Sequence, residues 1–391
     1  MSPSSSDRAL IAFMLSASIA STIGGLPFNS LPVMLGSMAD SFALDPKAVG
    51  LMGSICFAGY LLGTLGAPFW INRLNWRVLT VASAIGTAGS FALSSQVEDL
   101  TTLYVVWALI GFFASTMTCL GMRVLSDLPN KVRAFGVRQG VELSVTAAVL
   151  FALPPLVIAS YKYPGAALAL AGVVALLGLS AFWVPPHALA PASRMQAGLR
   201  SVNSRAWLCL AVLFVFLTGN IALWAFLERI GVAIPVAAAE MGVVFAVLKL
   251  LGGVAAFSVA AVGDRAGQRA PYVVVLVGVA AGLALLAGAN GFLLFAFGAW
   301  IWEFWFTCGC VFQAALVARH DDSGRAVVLI PAVFALGSMV GPGFAGYLVA
   351  GGSYAPLLWL ALAATLVPVL ANSIARTSAE AERGRIAHRI P

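Results

Sequence analysis

The chain has 391 residues, 61% of them hydrophobic and only 9% charged, with a mean hydropathy of +0.97. No soluble domain of this length could hydrate such a surface, which leaves a membrane protein of many spans. The net charge of +7 is not read as affinity for nucleic acid, and no nucleic-acid partner is expected, because the distribution of the charge along the chain explains it.

Residues Met1 to Arg8 carry Ser, Pro and one acid–base pair without a cleavable signal pattern, so the first apolar run reads as a retained span. Spans are predicted at 9–37, 47–71, 77–95, 101–125, 132–158 and 164–184. A polar linker at 185–204, with Pro185, Pro186, Pro191 and Ser193, follows. Six more are predicted at 205–229, 238–262, 271–288, 291–318, 326–349 and 354–375, ahead of a tail at 377–391. Each is near or above the ~20 residues that cross a hydrocarbon core. Open backbone cannot face lipid, so the spans must be helices and the fold class is all-α. The chain then divides into halves at 1–184 and 205–376.

Twelve spans place both termini on one face. Eighteen of the 22 Lys and Arg then lie on that face, three (Lys47, Lys162 and Arg229) on the other, and Lys249 within the membrane. Positive residues mark the cytoplasmic side, so the termini are expected inside. The opposite loops carry Asp40, Asp45, Glu98 and Asp99.

Between the second and third spans stands Asn72-Arg73-Leu74-Asn75-Trp76-Arg77. Between the eighth and ninth stands Asp264-Arg265-Ala266-Gly267-Gln268-Arg269. The offset is 192, near half the chain, and it also relates Gly50 to Gly242 and Arg133-Ala134 to Arg325-Ala326. Three pairings at one offset indicate two tandem copies of one unit. In such a loop one residue is expected to turn left-handed, Gly267 in one copy and Asn75 in the other. The arginines are expected at the headgroup level, and Asp264 can accept hydrogen bonds from a neighbouring helix N-terminus.

The Asp-Arg-x-Gly-x-Arg pattern resembles the signature loop of the major facilitator superfamily, bacterial type. That resemblance implies twelve transmembrane helices in two six-helix bundles, with Asn72, Arg73, Arg77, Asp264, Arg265, Gly267 and Arg269 forming a conformational loop. The first copy departs from the pattern, since Asn72 replaces an aspartate and Trp76 a basic residue. Gly341-Pro342-Gly343 resembles a segment of some antiporter families, but there it sits in the fifth span and here in the eleventh. The arginine motif of the fourth span is missing, with Phe112 and Phe113 in its place, so no subgroup is assigned.

Cys56, Cys119, Cys209, Cys308 and Cys310 all lie in apolar runs and read as packing residues. Gly59 and Gly63, Gly136 and Gly140, Gly278 and Gly282, and Gly337 and Gly341 recur at helix-packing spacing.

Charges inside spans are costly and usually functional. Arg138 and Glu142 lie four apart on the fifth span, hence on one face. Lys249 lies in the eighth span and Glu303 in the tenth, within Trp300-Ile301-Trp302-Glu303-Phe304-Trp305-Phe306. On the aromatic face of Trp300 and Phe306, an ionised Glu303 is expensive, which makes it a candidate to load and release a proton. The other reading is a static bridge to Lys249. Glu142 is the second proton-coupling candidate, or the structural partner of Arg138 or Arg123. Polar and aromatic stripes run along three further spans: Ser18, Thr22 and Asn29, where Pro27 and Pro32 should bend the helix; Phe112, Thr116, Cys119 and Arg123; and Phe216, Asn220, Trp224 and Glu228. With Arg138, Lys249, Trp300 and Phe306 they supply a substrate cavity suited to an amphipathic organic molecule. Trp302 and Trp305 point off the Glu303 face, toward lipid or packing contacts.

His187, His320 and His388 fall in the linker, a loop and the tail. No phosphate loop, metal-ligand cluster or cofactor motif stands beside them, so neither an enzyme nor an ATP-driven pump is expected. The expectation is a monomeric, multi-pass protein of the bacterial inner membrane, a proton-coupled secondary transporter working by alternating access. Its partners would be a small organic substrate, protons and the lipid bilayer. Export by antiport is favoured by the aromatic cavity and paired carboxylates; uptake of an organic anion or siderophore by symport is the alternative. A non-transporting receptor or lipid-handling protein on the same fold is the other class.

Overall fold

The structure is a computed structural model that describes residues 5–71, 73–187, 203–234, 236–262, 269–321 and 325–387. The described residues are helical apart from short connections. The first span is two helices, α1 (Ser5–Asn29) and α2 (Leu31–Phe42), broken at Ser30 between Pro27 and Pro32. This is the bend expected from the two prolines, which remove amide donors and crowd the preceding turn. The Ser30 amide and hydroxyl both donate to the Leu26 carbonyl, at 2.9 and 2.7 Å, so the break leaves few orphaned groups.

Then follow α3 (Pro46–Trp70), α4 (Trp76–Ser94), α5 (Leu100–Ser126) and α6 (Lys131–Ala152). A wide π-type turn, Leu153–Ile158, extends α6 through Pro154 and Pro155, whose missing N–H groups prevent a regular ladder there. The chain continues in α7 (Ala159–Gly178), whose first residues belong to the turn. Lys162, at φ 53°, reverses the direction, and a 3-10 turn, Leu179–Trp183, closes the half. The second half is α8 (Ser204–Ala233), α9 (Ala238–Val262), α10 (Ala270–Ala287), α11 (Phe292–Arg319), α12 (Arg325–Val349) and α13 (Ala355–Ala387).

Ten of these stretches are long and apolar enough to cross a membrane. One of them, Arg133–Trp183, contains the Lys162 reversal and so holds two crossings. α4 is not among the ten because a hydroxyl stripe dilutes it. Thr80, Ser83, Thr87 and Ser90 are buried, and Thr80 and Thr87 donate to carbonyls one turn back. Counted this way the described helices make twelve crossings. The starts are capped: Asp45, Asn75, Asp99, Asn130 and Asn203 each accept a backbone amide of the first turn.

The repeat read from the loops extends to whole helices. Adding 192 to Pro46–Trp70 gives 238–262, which is α9; adding it to Leu100–Ser126 gives 292–318 against Phe292–Arg319. Within the first half, α5 packs on α1, α3 and α4. Within the second, α8 packs on α12 and α13, and α11 on α9 and α10. The halves meet along α3 with α12 and α6 with α9, two contacts that the repeat exchanges, and along α2 with α8.

Among the described residues, one end of the bundle holds the start of α1 with Arg73, Arg77, Arg123, Arg269 and Arg319, and the other holds Asp40, Asp45, Glu98 and Asp99. At the acidic end the halves approach closely. A Cβ at Gly50 would collide with the Pro342 carbonyl oxygen, and one at Gly346 with that of Pro46. The Gly343 amide donates to Ser54 Oγ at 2.8 Å. One large core runs through both halves here and at mid-depth. At the arginine-rich end each half closes on its own small core, around Trp76, Leu120 and Val184 in the first and around Ala206, Leu210 and Val317 in the second. Among the described residues the halves thus share a core at the acidic end and have separate cores at the other.

Candidate functional site

The charged side chains buried at mid-depth converge where the halves meet. Lys249 and Glu303 are 4% and 6% exposed, with Nζ 3.7 Å from Oε1. Lys249 lies 11 residues into α9, about 16 Å from its start at the helical rise, too deep to snorkel. Its ammonium sits 3.7 Å from the ring centroid of Trp224 and 5.6 Å from that of Phe28. A cation over aromatic faces is favoured by the ring quadrupoles, most strongly where water is excluded. Lys249 is the one donor facing the Glu303 carboxylate among the described residues, and it stands at the long distance of 3.7 Å. Gly252, one turn beyond Lys249, leaves its room: a Cβ there would stand 3.0 Å from Glu303 Oε1.

Across the interface, Arg138 donates to Glu142 at 2.5 Å and to Ser21 Oγ at 2.7 Å, and Asn29 donates to Glu142 at 3.3 Å. Glu142 is close enough to Lys249 to act on it electrostatically. One turn further, the Thr146 hydroxyl is buried without a partner. Phe28 ties the aromatic layer together: its ring is 5.9 Å from Phe57, 6.3 Å from Trp224 and 5.2 Å from Phe334, and its carbonyl accepts from Trp224 Nε1 at 3.0 Å. Trp300 donates to the Val244 carbonyl at 3.0 Å. The arrangement is a layer of two ion pairs, one from each half and the Lys249–Glu303 pair the more deeply buried, around an aromatic cage.

The expected cavity residues separate into two groups. Asn29, Arg138, Trp224, Lys249 and Glu303 come together with Glu142. Asn220 does not join them. It is fully buried inside the second half, donating to Phe216 O and Thr365 Oγ1 at 3.0 and 3.1 Å and accepting from Trp302 Nε1 at 3.0 Å. Trp302, expected off the Glu303 face as a lipid or packing contact, is wholly buried and carries this interior hydrogen bond. It also stacks on Phe306 at 5.5 Å. Thr116 donates to its own helix at Phe112, as Ser18 and Thr22 do at Met14 and Ser18. Arg123 pairs with Asp127 near the arginine-rich end and lies over the Trp76 ring, so the partner of Glu142 is Arg138.

In the first conformational loop the structure corrects one expectation. Asn75 is extended, at φ −67° and ψ 124°, and accepts the amides of Arg77 and Val78; it ends the loop as a helix cap rather than a left-handed turn. The capping bonds satisfy donors that a left-handed turn would leave open. Trp76 is 1% exposed and donates to Ile71 O, while Arg77 Nε donates to Val184 O at 2.7 Å. Here Trp76 fills a core and Arg77 ties the loop to the end of the sixth span. Arg73 and Arg269 are exposed. Asn72, Asp264, Arg265 and Gly267 lie outside the described residues.

At the acidic end Arg229 on α8 forms a two-bond pair with Asp40 on α2, at 2.6 and 3.0 Å, and contacts its neighbour Glu228 at 2.6 and 3.0 Å. The sequence placed Arg229 and Asp40 on that face but gave no sign that they meet, because 189 residues separate them. Phe28, Ser21 and Thr146 were also missed. The first two are neighbours of residues in the polar stripe of the first span, and Thr146 continues the Arg138–Glu142 row.

A family model described as the Major Facilitator Superfamily matches residues 13–319. No curated protein matches the chain. Among solved structures, the nucleoside transporter NupG superposes with a TM-score of 0.72 at 14% identity, over 93% of this chain and 98% of that one. A bacterial homologue of the human lysosomal transporter Spinster, in an inward-facing and occupied conformation, superposes at 0.69 with 13% identity, over 97% and 98%. In its inward-facing and unoccupied conformation the figures are 0.66, 14%, 94% and 95%. At these identities the likeness is one of fold. The matched model covers more than half of the chain, and the chain belongs to the Major Facilitator Superfamily, as a multi-pass membrane transporter rather than an enzyme.

Proposed function

We propose that the protein is a proton-coupled secondary transporter that exports a small amphipathic organic molecule by antiport. The reading rests on one observation: a buried ion pair, Lys249–Glu303, and a part-buried one, Arg138–Glu142, face each other across the interface of the two halves. Buried charge of this kind is expensive in a membrane and is retained where it does work. Both halves contribute, so rocking one against the other changes the surroundings of each pair. Glu303, Glu142 and Lys249 are the titratable members of the two pairs, at which a proton could be taken up or released. The arginine-rich end, on this reading, faces the cytoplasm of a bacterium, with both termini there, and the split between the two small cores is the inward opening. One copy of the chain suffices.

Symport of an organic anion would need an uncommitted cation at mid-depth. Arg138 and Lys249 each face a carboxylate, which favours antiport. The test is flux in proteoliposomes with and without an imposed pH gradient, over a panel of aromatic amines, organic acids and nucleosides. Nucleosides are included because one structural relative is a nucleoside transporter. A pH gradient is expected to drive at least one cargo uphill. Ligand binding without flux of any cargo would instead make the protein a receptor.

A further inference from the structure

The Lys249 ammonium occupies the most distinctive place in the molecule. It lies 3.7 Å from the face of Trp224 and an equal 3.7 Å from Glu303 Oε1. An aromatic cage with a carboxylate at its edge is the chemistry that recognises an organic cation. Here the cage is filled from within, by a side chain on a flexible four-carbon stem. Neither charged group of the pair is saturated: Lys249 Nζ approaches Glu303 only to 3.7 Å, and no second donor to that carboxylate stands among the described residues. On α6, one turn beyond Glu142, the Thr146 hydroxyl is buried and unpartnered. Both members thus have bonding capacity left for a third group.

We propose that Lys249 is a tethered stand-in for the cargo, that the cargo is an organic cation with an aromatic or apolar body, and that the proton exchanged for it is carried on the Lys249 amine. This rests on the proton-coupled antiport reading and names its substrate class and carrier. The exchange balances. A cation entering the cage displaces the ammonium from Trp224 and Glu303. Two cations cannot share one buried carboxylate, so Lys249 gives its proton to water on that side and remains as a neutral amine. When the halves rock and the cargo leaves on the other side, the amine takes a proton from water there and returns to the cage. The cage holds one positive charge throughout. One cargo cation crosses one way, one proton the other, and no net charge moves.

The charged and titratable groups around Lys249 are few. Glu303 faces it from α11, with Cys310 near that carboxylate. Glu142 faces it from α6, already held by Arg138 and Asn29. Tyr60 on α3 lies near Glu142 but donates to Thr118 at 2.8 Å. Arg138 and its bonds keep Glu142 neutralised, so Glu303 remains as the fixed anion of the cage.

The test is equilibrium binding to the purified full chain, with benzyltrimethylammonium as a permanent cation that cannot titrate and phenylacetate as its anionic counterpart. Wild type is expected to bind the cation, to release about one proton per cation into a weakly buffered dye solution, and to gain about tenfold in affinity per pH unit as pH rises, because protons compete with the cargo. Lys249→Arg keeps the ion pair but cannot lose its proton, so it should lose at least about tenfold in cation affinity together with the proton release. Lys249→Met, which removes the competitor, should bind the cation at least as well as wild type. Should that variant fail to fold, the wild-type proton count and the arginine variant decide alone. Cation binding by Lys249→Arg equal to wild type would overturn the proposal, as would phenylacetate binding that depends on Lys249. Gradient-driven flux of an anionic or neutral cargo, with no cation binding, would overturn it and leave the transport reading standing.

Discussion

At the scale of single residues, the buried charges decide what the site can do, and the sequence exposed them because a charge inside an apolar run stands out. Glu303, Lys249, Glu142 and Arg138 were each legible on that ground. Their partners were legible too: Arg138 and Glu142 share a face of one helix, and a bridge from Glu303 to Lys249 was one of the two readings of that carboxylate. Glu303→Gln leaves Lys249 buried beside a neutral amide, and breaking a buried pair costs on the order of 3 kcal/mol. Its melting temperature should fall, and Lys249→Met in the same chain should restore it. Gradient-driven transport should stay absent in the double variant; its recovery together with stability would show that the pair is only a brace. Trp302 was not legible, since its partner Asn220 is 82 residues away and helical phase alone turned it from the site. Trp302→Phe strips Asn220 Oδ1 of its buried donor, a loss of about 1–3 kcal/mol. Denaturation should show that loss with transport retained; unaltered stability would mean that the bond contributes nothing.

At the scale of elements, span positions followed from length and hydropathy, and loop polarity fixed most helix ends. Geometry inside the loops was harder to read. Asn75 can cap a helix or turn left-handed, and only its neighbours decide; Trp76 replaces a charge but fills a core. The contacts between α2 and α8 and between α3 and α12 were also hidden, because pairing across the halves leaves no periodic mark. They suggest how the acidic end opens. The Asp40–Arg229 pair is half in water, Asp40 being 63% exposed and Arg229 15%. Screening limits such a pair to about 1 kcal/mol, or roughly a fivefold shift between states. Asp40→Asn should therefore raise the labelling rate of a cysteine placed at Ser54, on a background without native cysteines, by up to about fivefold for a thiol reagent added at the acidic side. A lower rate would show that the pair does not hold that end closed.

At the scale of the whole molecule, the repeat offset of 192 carried the most information: a few loop residues located helices across both halves, with α9 falling where α3 placed it. Orientation is a separate matter, and it rests on the arginine bias. Cysteines introduced at positions 47 and 162 should react with an impermeant reagent on intact cells, and those at 131, 200 and 268 should not. Reaction at 200 would invert the assignment. The exchange itself is tested most directly by counting protons against cargo. Proteoliposomes loaded with benzyltrimethylammonium and an internal pH dye are diluted into cargo-free buffer at the same pH, with potassium and valinomycin clamping the voltage. As cargo leaves, the interior should acidify by about one proton per cation, at a rate that the clamped voltage does not change. Cargo efflux with no acidification, or efflux driven by voltage alone, would contradict a cation–proton exchange centred on Lys249.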